Sequence, residues 1–390
     1  MRVAIVNHGI FPFLMGGMER HTHFLAKHMA ESGVEVDVLV PELKPDQQAA
    51  YEALANPYRL VQFPWPASRL WLRSNYLYSR LAAAHLKSHH FDAVYCQGFN
   101  AWAYLADPAR DRRALTIFNP HGLEMFKTVG LEQSAKSFPM RWAAREQARL
   151  ADRVVSLGGG LTDEVRRFLR VGDDRIDVLP NAIDIDYIDS FSGSAHREGP
   201  VRFVFVGRLE ANKGVSYLCE AFEAVEGAHL TIVGSGPLEA ELKQRFNKPN
   251  IEFAGRLDDR ELFERYRRSD CFIFASLYEG MPTVILEAMA CGLPVIATDI
   301  GAVTTMVGPD NGFVVQPGSS AQLADAIAAF LRLPVEARRG MAAVSRERVE
   351  TQFTWPRVAR QTLEAIEKNN SVRHDGSLSD VARSRNADSA

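Results

Sequence analysis

Two successive sets of short β-branched runs, each interleaved with amphipathic helical segments, constrain the fold of this 390-residue chain most strongly. A strand, a helix and a further strand form a right-handed unit whose strands are parallel. The first set predicts strands at 3–7, 36–40, 93–96, 115–119, 153–156 and 176–179. The second set predicts strands at 201–206, 229–233, 251–254, 271–275, 295–297 and 312–315. The pattern predicts an α/β protein with two tandem, doubly wound Rossmann-like domains.

The restart of the pattern predicts the domain boundaries. We expect a first domain at residues 1–188, a small, polar and turn-rich linker at 189–200, and a second domain at 201–352. From Lys368 the chain is polar and lacks periodicity, which predicts a disordered tail at 368–390. Doubly wound sheets bind ligands at the carboxyl ends of their strands, so we expect a ligand in a central crevice between the two domains.

Composition narrows the range of functions. A formal net charge of −3 gives no global support for nucleic-acid binding. The four cysteines are scattered and no cluster has metal-ligand spacing, so neither a metal nor a bound cofactor is expected. No apolar run approaches the roughly 20 residues that a membrane span needs, and no secretory signal is visible. We therefore expect a cytoplasmic protein.

The segment 276–288 carries the strongest chemical signal, because two glutamates flank a strand-to-helix corner. Pro282 fits the first helical position, so the free N–H groups of the first turn favour an anion in front of it. Glu287 follows Thr283 by four residues and shares its helix face, where a carboxylate accepts hydrogen bonds from ribose hydroxyls. Glu279 lies at the corner itself and suits a second hydroxyl-rich group.

A second signal is the loop 207–214, which follows the first strand of the second set. It is not a P-loop, which requires Gly-Lys-Ser/Thr where this chain has Lys-Gly. Its two cations are Arg208, which can fork onto phosphate oxygens, and Lys213, which supplies a mobile point charge. Each alone is more often a surface charge. Together with the two glutamates of the same domain, they favour a diphosphate site.

Glycine-rich turns follow several other strands. Gly16 and Gly17 open a helix after the first strand and allow close backbone approach to a ligand, although a purely structural role is the alternative. Gly234 and Gly236 form a similar turn after another strand. Arg256 closes the next strand, where the backbone can meet a flat base.

One segment departs from the background composition. From residue 53 to residue 91 there is no acidic side chain, whereas basic and aromatic side chains alternate. They are Arg59, Trp65, Arg69, Trp71, Arg73, Tyr76, Tyr78, Arg80 and Lys87. This composition suits an anionic membrane surface or a lipid-carried substrate. Core aromatics with solvated arginines are an equally good interpretation.

These motifs resemble the retaining family 4 glycosyltransferases, which have the two-domain GT-B fold. The matching segments are Gly16-Gly17-Met18-Glu19, Pro120-His121-Gly122, Gly207-Arg208-Leu209 with Lys213-Gly214, Gly234-Ser235-Gly236-Pro237, and the Glu279…Glu287 pair. The resemblance extends from Met1 to about Glu367. Phe353-Thr354-Trp355 is similar to the family's crossover, after which the last helix, at about 353–367, returns to the first domain.

The resemblance implies a sugar nucleotide held mainly by the second domain and an acceptor in the first. Glu287 would bind the ribose, Arg208 and Lys213 the diphosphate, and Glu279 the donor sugar. His121, which ends a first-domain strand, would reach that sugar from the opposite side. The implied catalytic residues are His121, Glu279, Arg208 and Lys213. The implied donor-binding residues are Gly16, Gly17, Arg208, Lys213, Gly234, Gly236, Arg256, Glu279, Gly280, Met281, Pro282, Thr283 and Glu287.

The resulting hypothesis is a retaining transferase. It would move a hexosyl or N-acetylhexosaminyl group from a UDP- or GDP-sugar to a glycan or lipid-linked acceptor, in bacterial surface polysaccharide or lipopolysaccharide synthesis. No carboxylate nucleophile is evident, which favours same-face departure with the β-phosphate oxygen taking the acceptor's proton. The basic aromatic segment adds peripheral contact with the inner face of the plasma membrane. A sugar-nucleotide epimerase on the same fold and a non-catalytic sugar-nucleotide-binding protein remain alternatives.

Overall fold

A computed structural model describes residues 1–14, 16–127, 131–191, 199–223 and 225–387, apart from the side chains of 131–134 and 373–387. Two parallel sheets flanked by helices form the molecule, which confirms the predicted α/β class with two Rossmann-like sheets. The expected linker at 189–200 falls largely outside the described residues.

The first sheet contains β1 (Arg2–Val6), β2 (Glu35–Pro41), β3 (Arg59–Phe63), β4 (Ala93–Gln97), β5 (Leu115–Asn119), β6 (Arg153–Ser156) and β7 (Ile176–Val178). The second contains β8 (Val201–Val206), β9 (Ala228–Val233), β10 (Ile251–Gly255), β11 (Cys271–Phe274), β12 (Val295–Thr298) and β13 (Gly312–Val315). The helices are α1 (Gly17–Glu31), α2 (Pro45–Ala53), α3 (Trp71–Ser88), α4 (Trp102–Ala106), α5 (Leu131–Leu150), α6 (Gly160–Leu169), α7 (Ile185–Ser190), α8 (Val215–Phe222), α9 (Glu239–Arg245), α10 (Asp259–Arg267), α11 (Thr283–Ala290), α12 (Val303–Met306), α13 (Ser320–Arg332), α14 (Val335–Gln352) and α15 (Trp355–Ala387).

The central strands can be predicted from the sequence because helices cover both faces of each sheet. Every residue of β4 and of β11 is buried, so each strand reads as a nearly continuous apolar run. β3 is the strand that the sequence pattern does not predict. It lies at the sheet edge, is only half-buried, and begins with Arg59, whose Nε donates to Asp37 Oδ1 at 2.7 Å. Because β3 carries polar side chains, it does not form an apolar run and is not predicted from the sequence.

The strand order places a crevice at the centre of each sheet. The first sheet has the order β3-β2-β1-β4-β5-β6-β7, and the second has β10-β9-β8-β11-β12-β13. The direction of winding therefore reverses between β1 and β4, and again between β8 and β11. Ligands of such sheets bind outside the carboxyl ends of the strands at these reversal points.

Helix α15 returns the chain to the first sheet. Before it begins, Ile183 N donates to Phe353 O at 3.0 Å, next to β7. The indole of Trp355 then stacks on Phe24 of α1, with 5.7 Å between ring centroids, and meets the edge of His21 at 5.3 Å. The start of α15 is thus bound to the same helix that carries the Gly17 turn.

The end of α15 differs from the sequence prediction. The sequence predicts disorder from Lys368, whereas the helix continues to Ala387. No proline interrupts residues 357–387, so nothing in the backbone chemistry ends the helix at the point where the sequence becomes polar.

Replacing Trp355 by alanine should destabilise the first sheet and its helices. Trp355 is only 3% exposed, so its loss should lower the free energy of unfolding by about 3–5 kcal/mol. Urea unfolding followed by tryptophan-independent circular dichroism would measure the change. Arg360→Ala on the exposed side of the same helix is the control. Equal midpoints for the two variants would contradict a stabilising role for the Trp355 contact.

Candidate active site

The corner after β11 leads into α11, as the sequence predicts, but the helix begins one residue later than expected. Pro282 is the N-cap, with φ −74° and ψ 116°, and Thr283 is the first helical residue. The prediction that Pro282 occupies the first helical position is therefore wrong by one residue. Its fixed φ still suits the turn into the helix, and the unpaired N–H groups of the first turn begin at Thr283.

Lys213 and Glu279 form an ion pair at this corner through Nζ and Oε1. The side chains are 18% and 24% exposed, so the pair is partly shielded from water. Gly214 makes the approach possible: its φ is +65°, and a Cβ there would overlap the carbonyl oxygen of Ala275. Two of the residues that the sequence predicts to act together are therefore in direct contact.

Arg208 lies apart from this pair. Its side chain is 68% exposed and pairs with Glu210 at 3.0 Å. It follows β8 on the same loop as Lys213, at the rim of the crevice rather than in its wall. A guanidinium on a long side chain at that position is within reach of the crevice, and its contact with a phosphate stays a prediction.

Glu287 and Thr283 line one cavity between the two sheets, as their spacing on a helix predicts. Gly17 and Arg20 of α1 line the cavity from the opposite side. Burial raises the pKa of Glu287, and the positive charge of Arg20 opposes that shift. A Cβ at Gly17 would meet nothing within 4 Å, so the space before it is open. The cavity offers a carboxylate, a cation and a bare backbone to one ligand.

His121 presents its backbone to the corner and turns its ring into the first sheet. A Cβ on Gly280 would overlap the carbonyl oxygen of His121, so the two chains touch across the crevice. The imidazole Nε2 donates to Gln97 Oε1, and Gln97 Nε2 donates to His21 Nδ1 at 3.0 Å. Burial lowers the pKa of His121 well below its usual value, so the ring is neutral. A direct contact of that ring with a sugar stays a prediction, and it would require this chain of bonds to change.

Gly234 and Gly236, which the resemblance places among the donor-binding residues, lie against the backbone of the neighbouring loop. Gly234 has φ +128°, and a Cβ there would overlap the carbonyl oxygen of Gly207. A Cβ on Gly236 would collide with the backbone of Leu209. Both glycines therefore allow the loop that carries Arg208 to lie close to the end of β9, and a contact of either glycine with a donor stays a prediction.

Three further predicted residues lie around the crevice: Arg256 at its rim, Met281 where the two domains touch, and Gly16 at the start of α1. Arg256 is exposed at the rim, with Nε donating to Ser235 Oγ at 2.8 Å. Met281 is buried, and its carbonyl oxygen accepts a hydrogen bond from Asn181 Nδ2 at 2.9 Å, across the crevice. Gly16 is the N-cap of α1 and packs on the Glu19 carboxylate.

Some site residues are not anticipated by the sequence motifs. Arg20 is one turn after Gly17 and shares its side of α1, so helical spacing could have indicated it. Asn181 follows β7 in a loop without a motif, and nothing in the sequence pairs it with Met281. Among the described ranges, no group of three or more His, Cys, Asp and Glu side chains has the arrangement of a metal site.

Comparison with known proteins identifies the family of the chain. The family model "Glycosyltransferase Family 4" matches residues 15–187, and "Glycosyl transferases group 1" matches residues 200–332. Two parallel sheets, a crevice between their carboxyl ends and these two matches define a glycosyltransferase of the GT-B type. The chain belongs to the family 4 glycosyltransferases of the GT-B fold.

Individual similarities span nearly the whole chain. A phosphatidyl-myo-inositol mannosyltransferase from Mycobacterium leprae is 28% identical over 367 residues, covering 90% of this chain and 93% of the relative. The structure of sucrose-phosphate synthase from Thermosynechococcus elongatus has a TM-score of 0.79 at 19% identity, covering 95% and 99% of the two chains. Anabaena HepE in complex with UDP-glucose has a TM-score of 0.66 at 17% identity, covering 94% and 100%.

Gly280→Ala should impair closure of the crevice. The added Cβ would overlap a backbone oxygen that cannot rotate away, and an ångström-scale displacement of a catalytic site can cost about 10²-fold in kcat/KM. Sugar-nucleotide turnover and small-angle scattering with bound UDP would report the change. Gly340→Ala, on an exposed helix surface with no atom within 4 Å, is the matched control. Equal turnover in both variants would contradict the close contact at Gly280.

Proposed function

We propose that this glycosyltransferase transfers a hexosyl or N-acetylhexosaminyl group from a nucleoside diphosphate sugar, with retention, to a glycan or lipid-linked acceptor. The observation that carries the proposal is the contact of Lys213 with Glu279, which precedes by four residues the Thr283 that lines the cavity together with Glu287. The diphosphate, the ribose and the sugar of such a donor each need a different partner. Lys213 is a cation for the diphosphate, Glu287 is a carboxylate in the cavity for the ribose, and Glu279 is a second carboxylate for the sugar.

The donor is assigned by chemistry. A ribose with two hydroxyls can donate both hydrogen bonds to the Glu287 carboxylate. A diphosphate can replace Glu279 as the partner of Lys213, which frees Glu279 for the hydroxyls of the sugar. Binding of UDP-glucose by Anabaena HepE, which has the same fold, supports a UDP-sugar as the first donor to test.

The mechanism that we propose is departure and attack on one face of the sugar. The C1–oxygen bond to the diphosphate breaks and its electron pair remains on the diphosphate, while the acceptor oxygen bonds to C1 and its proton passes to a β-phosphate oxygen. Lys213, Arg208 and the N–H groups at the start of α11 stabilise the charge that develops on the leaving group. Glu279 orients the sugar through its hydroxyls.

The acceptor side of the molecule carries an exposed surface that we name the aromatic–basic surface. It consists of Arg69, Leu70, Trp71, Arg73, Tyr76, Arg80, Phe138 and Trp142. Contacts of Tyr76 with Trp102 (5.2 Å) and of Trp102 with Trp142 (5.4 Å) join α3, α4 and α5 into one face. None of its three arginines has an ion-pair partner among the described residues.

The structure divides the acid-free segment between core and surface. Tyr78 is fully buried, and Arg59 and Lys87 are paired with acids of neighbouring elements. Exposed aromatics interleaved with unpaired arginines favour an anionic membrane surface. The phosphatidyl-linked acceptor named for the M. leprae relative supports a lipid-linked acceptor here. No described helix is long and apolar enough to cross a bilayer.

Removal of the corner cation tests the proposed activity. Lys213→Ala and Glu279→Gln should each lower kcat by about 10²–10³-fold, because each loses a contact to charge or hydroxyls in the transition state. Release of nucleoside diphosphate would be measured over UDP- and GDP-hexoses and N-acetylhexosamines, with lipid and glycan acceptors. Lys243→Ala, an exposed lysine paired with Glu239, is the control. Unchanged turnover in both site variants would contradict the assignment, and conversion of the sugar nucleotide without any acceptor would favour an epimerase.

Vesicle binding tests the aromatic–basic surface. Arg73→Gln with Arg80→Gln removes two unpaired charges, each worth about 1 kcal/mol at an anionic membrane, so partitioning should weaken about 30-fold. Sedimentation with phosphatidylglycerol vesicles and with neutral phosphatidylcholine vesicles would measure it. The control is Arg332→Gln with Arg339→Gln, two exposed arginines of the second domain. Equal binding by both double variants would contradict the membrane proposal.

A further inference from the structure

An acidic side chain of the first domain lies opposite the corner that follows β11. Glu124 begins a single turn of 3₁₀ helix, Glu124–Phe126, three residues after His121. The sequence motifs include His121 and Gly122 but not Glu124. No function described so far uses this carboxylate.

The carboxylate of Glu124 folds back over Gly122. A Cβ on Gly122 would overlap both carboxylate oxygens, so no atom lies between them and the backbone. Gly122 in turn lies against the second domain, because its Cα is 3.3 Å from the position that a Cβ on Gly280 would take. Glu279 directly precedes Gly280. Glu124 is therefore joined to the corner through two glycines that put no side chain between the two acids.

Glu124 has no ion-pair partner in the part of the chain that the structure describes. Its carboxylate accepts a hydrogen bond from its own backbone N–H. Two lysines lie near it, and each already has a partner. Lys127 pairs with Glu164 at 2.6 Å, and Lys213 pairs with Glu279. The negative charge of Glu124 is thus available to a ligand in the crevice.

The surroundings strengthen the effect of this charge. Water reaches the Glu124 side chain from the crevice, but the surrounding protein replaces much of its solvation, which raises the pKa of the carboxyl. The negative charge of Glu279 also raises this pKa, and the positive charges of Lys127 and Lys213 oppose the shift. Charges interact more strongly in such a place than in open solvent, because less water screens them. Two carboxylates from opposite domains therefore make the space between them negative.

A bound donor would engage the cation that balances this charge. In the proposed function the diphosphate becomes the partner of Lys213, and Lys127 stays paired with Glu164. The sugar then meets Glu279 from the second domain and Glu124 from the first. A sugar hydroxyl can donate a hydrogen bond to either carboxylate, whereas a carboxylate on the sugar can only accept one and is repelled by both.

We infer that Glu124 is a specificity-determining residue that, together with Glu279, restricts the donor to an uncharged sugar and rejects a hexuronic acid. This inference rests on the proposed function and narrows its substrate class. A hexose or an N-acetylhexosamine satisfies both carboxylates through its hydroxyls. A hexuronic acid places a third carboxylate between them, and like charges in a site exclude the wrong ligand.

A matched pair of donors tests the inference. UDP-glucuronate carries a carboxylate at C6 where UDP-glucose carries a hydroxymethyl group, and calorimetry on the full-length chain would measure both affinities. The wild type should bind UDP-glucuronate more weakly than UDP-glucose, and Glu124→Gln should narrow this difference by about 30-fold. That factor is the effect of removing one like charge about 8 Å away at an effective dielectric constant of about 20.

Two further variants separate the charge of Glu124 from its shape. Glu124→Asp keeps the charge and should keep the preference for UDP-glucose. Glu35→Gln removes one negative charge from an exposed side chain at the amino end of β2, away from the crevice, and should leave both affinities unchanged. Where the chain binds GDP and not UDP, GDP-mannose and GDP-mannuronate form the corresponding pair.

The outcomes distinguish this inference from the proposed function. Equal affinity of the wild type for the two donors would overturn the role of Glu124 and leave the proposed function standing. The same holds for a ratio of affinities that Glu124→Gln does not change, or that Glu35→Gln changes equally. A wild-type chain that binds no nucleoside diphosphate sugar would refute the inference and the proposed function together.

Discussion

The close backbone approach at Gly280 is the constraint on which the crevice depends. On one side, Gly280 meets the carbonyl of His121 from the first sheet. On the other, its own carbonyl accepts a hydrogen bond from Ala302 N at 2.8 Å and lies against Gly301. Gly301 O in turn accepts from Leu161 N of the first domain at 3.1 Å. Backbone atoms without side chains between them therefore set the distance between the two halves of the site.

This contact makes the charges of the site depend on one another. The Lys213–Glu279 pair belongs wholly to the second sheet, whereas Glu287 faces a cation, Arg20, that belongs to the first. A carboxylate whose pKa is raised by burial accepts hydrogen bonds best when such a cation is near. The ribose contact that we propose for Glu287 would thus gain from closure of the crevice, whereas the pairing of Lys213 with Glu279 does not require closure.

Periodic features of the site can be predicted from the sequence, whereas contacts made when the chain folds back on itself cannot. The buried strands can be predicted because they form apolar runs in the sequence. Thr283 and Glu287 are four residues apart, which implies that they share one face of a helix. Asn181 and Met281 are hydrogen-bonded across the crevice, and no sequence signature links the two segments that carry them. Gly234 and Gly17 look alike in sequence, yet one is required by a neighbouring backbone and the other opens onto a cavity. Only the three-dimensional surroundings of a glycine distinguish these roles.

The return of α15 to the first sheet means that the second sheet is, in chain order, an insertion. The chain leaves the first sheet after β7 and comes back beside it, where Ile183 N donates to Phe353 O. Two connections side by side restrict rotation of one sheet against the other more than a single connection would. A hinge motion about the axis through both connections is then the motion that costs least. The same topology implies that the first half of the chain cannot complete its packing during synthesis until Trp355 has emerged, because α1 stays uncovered until then.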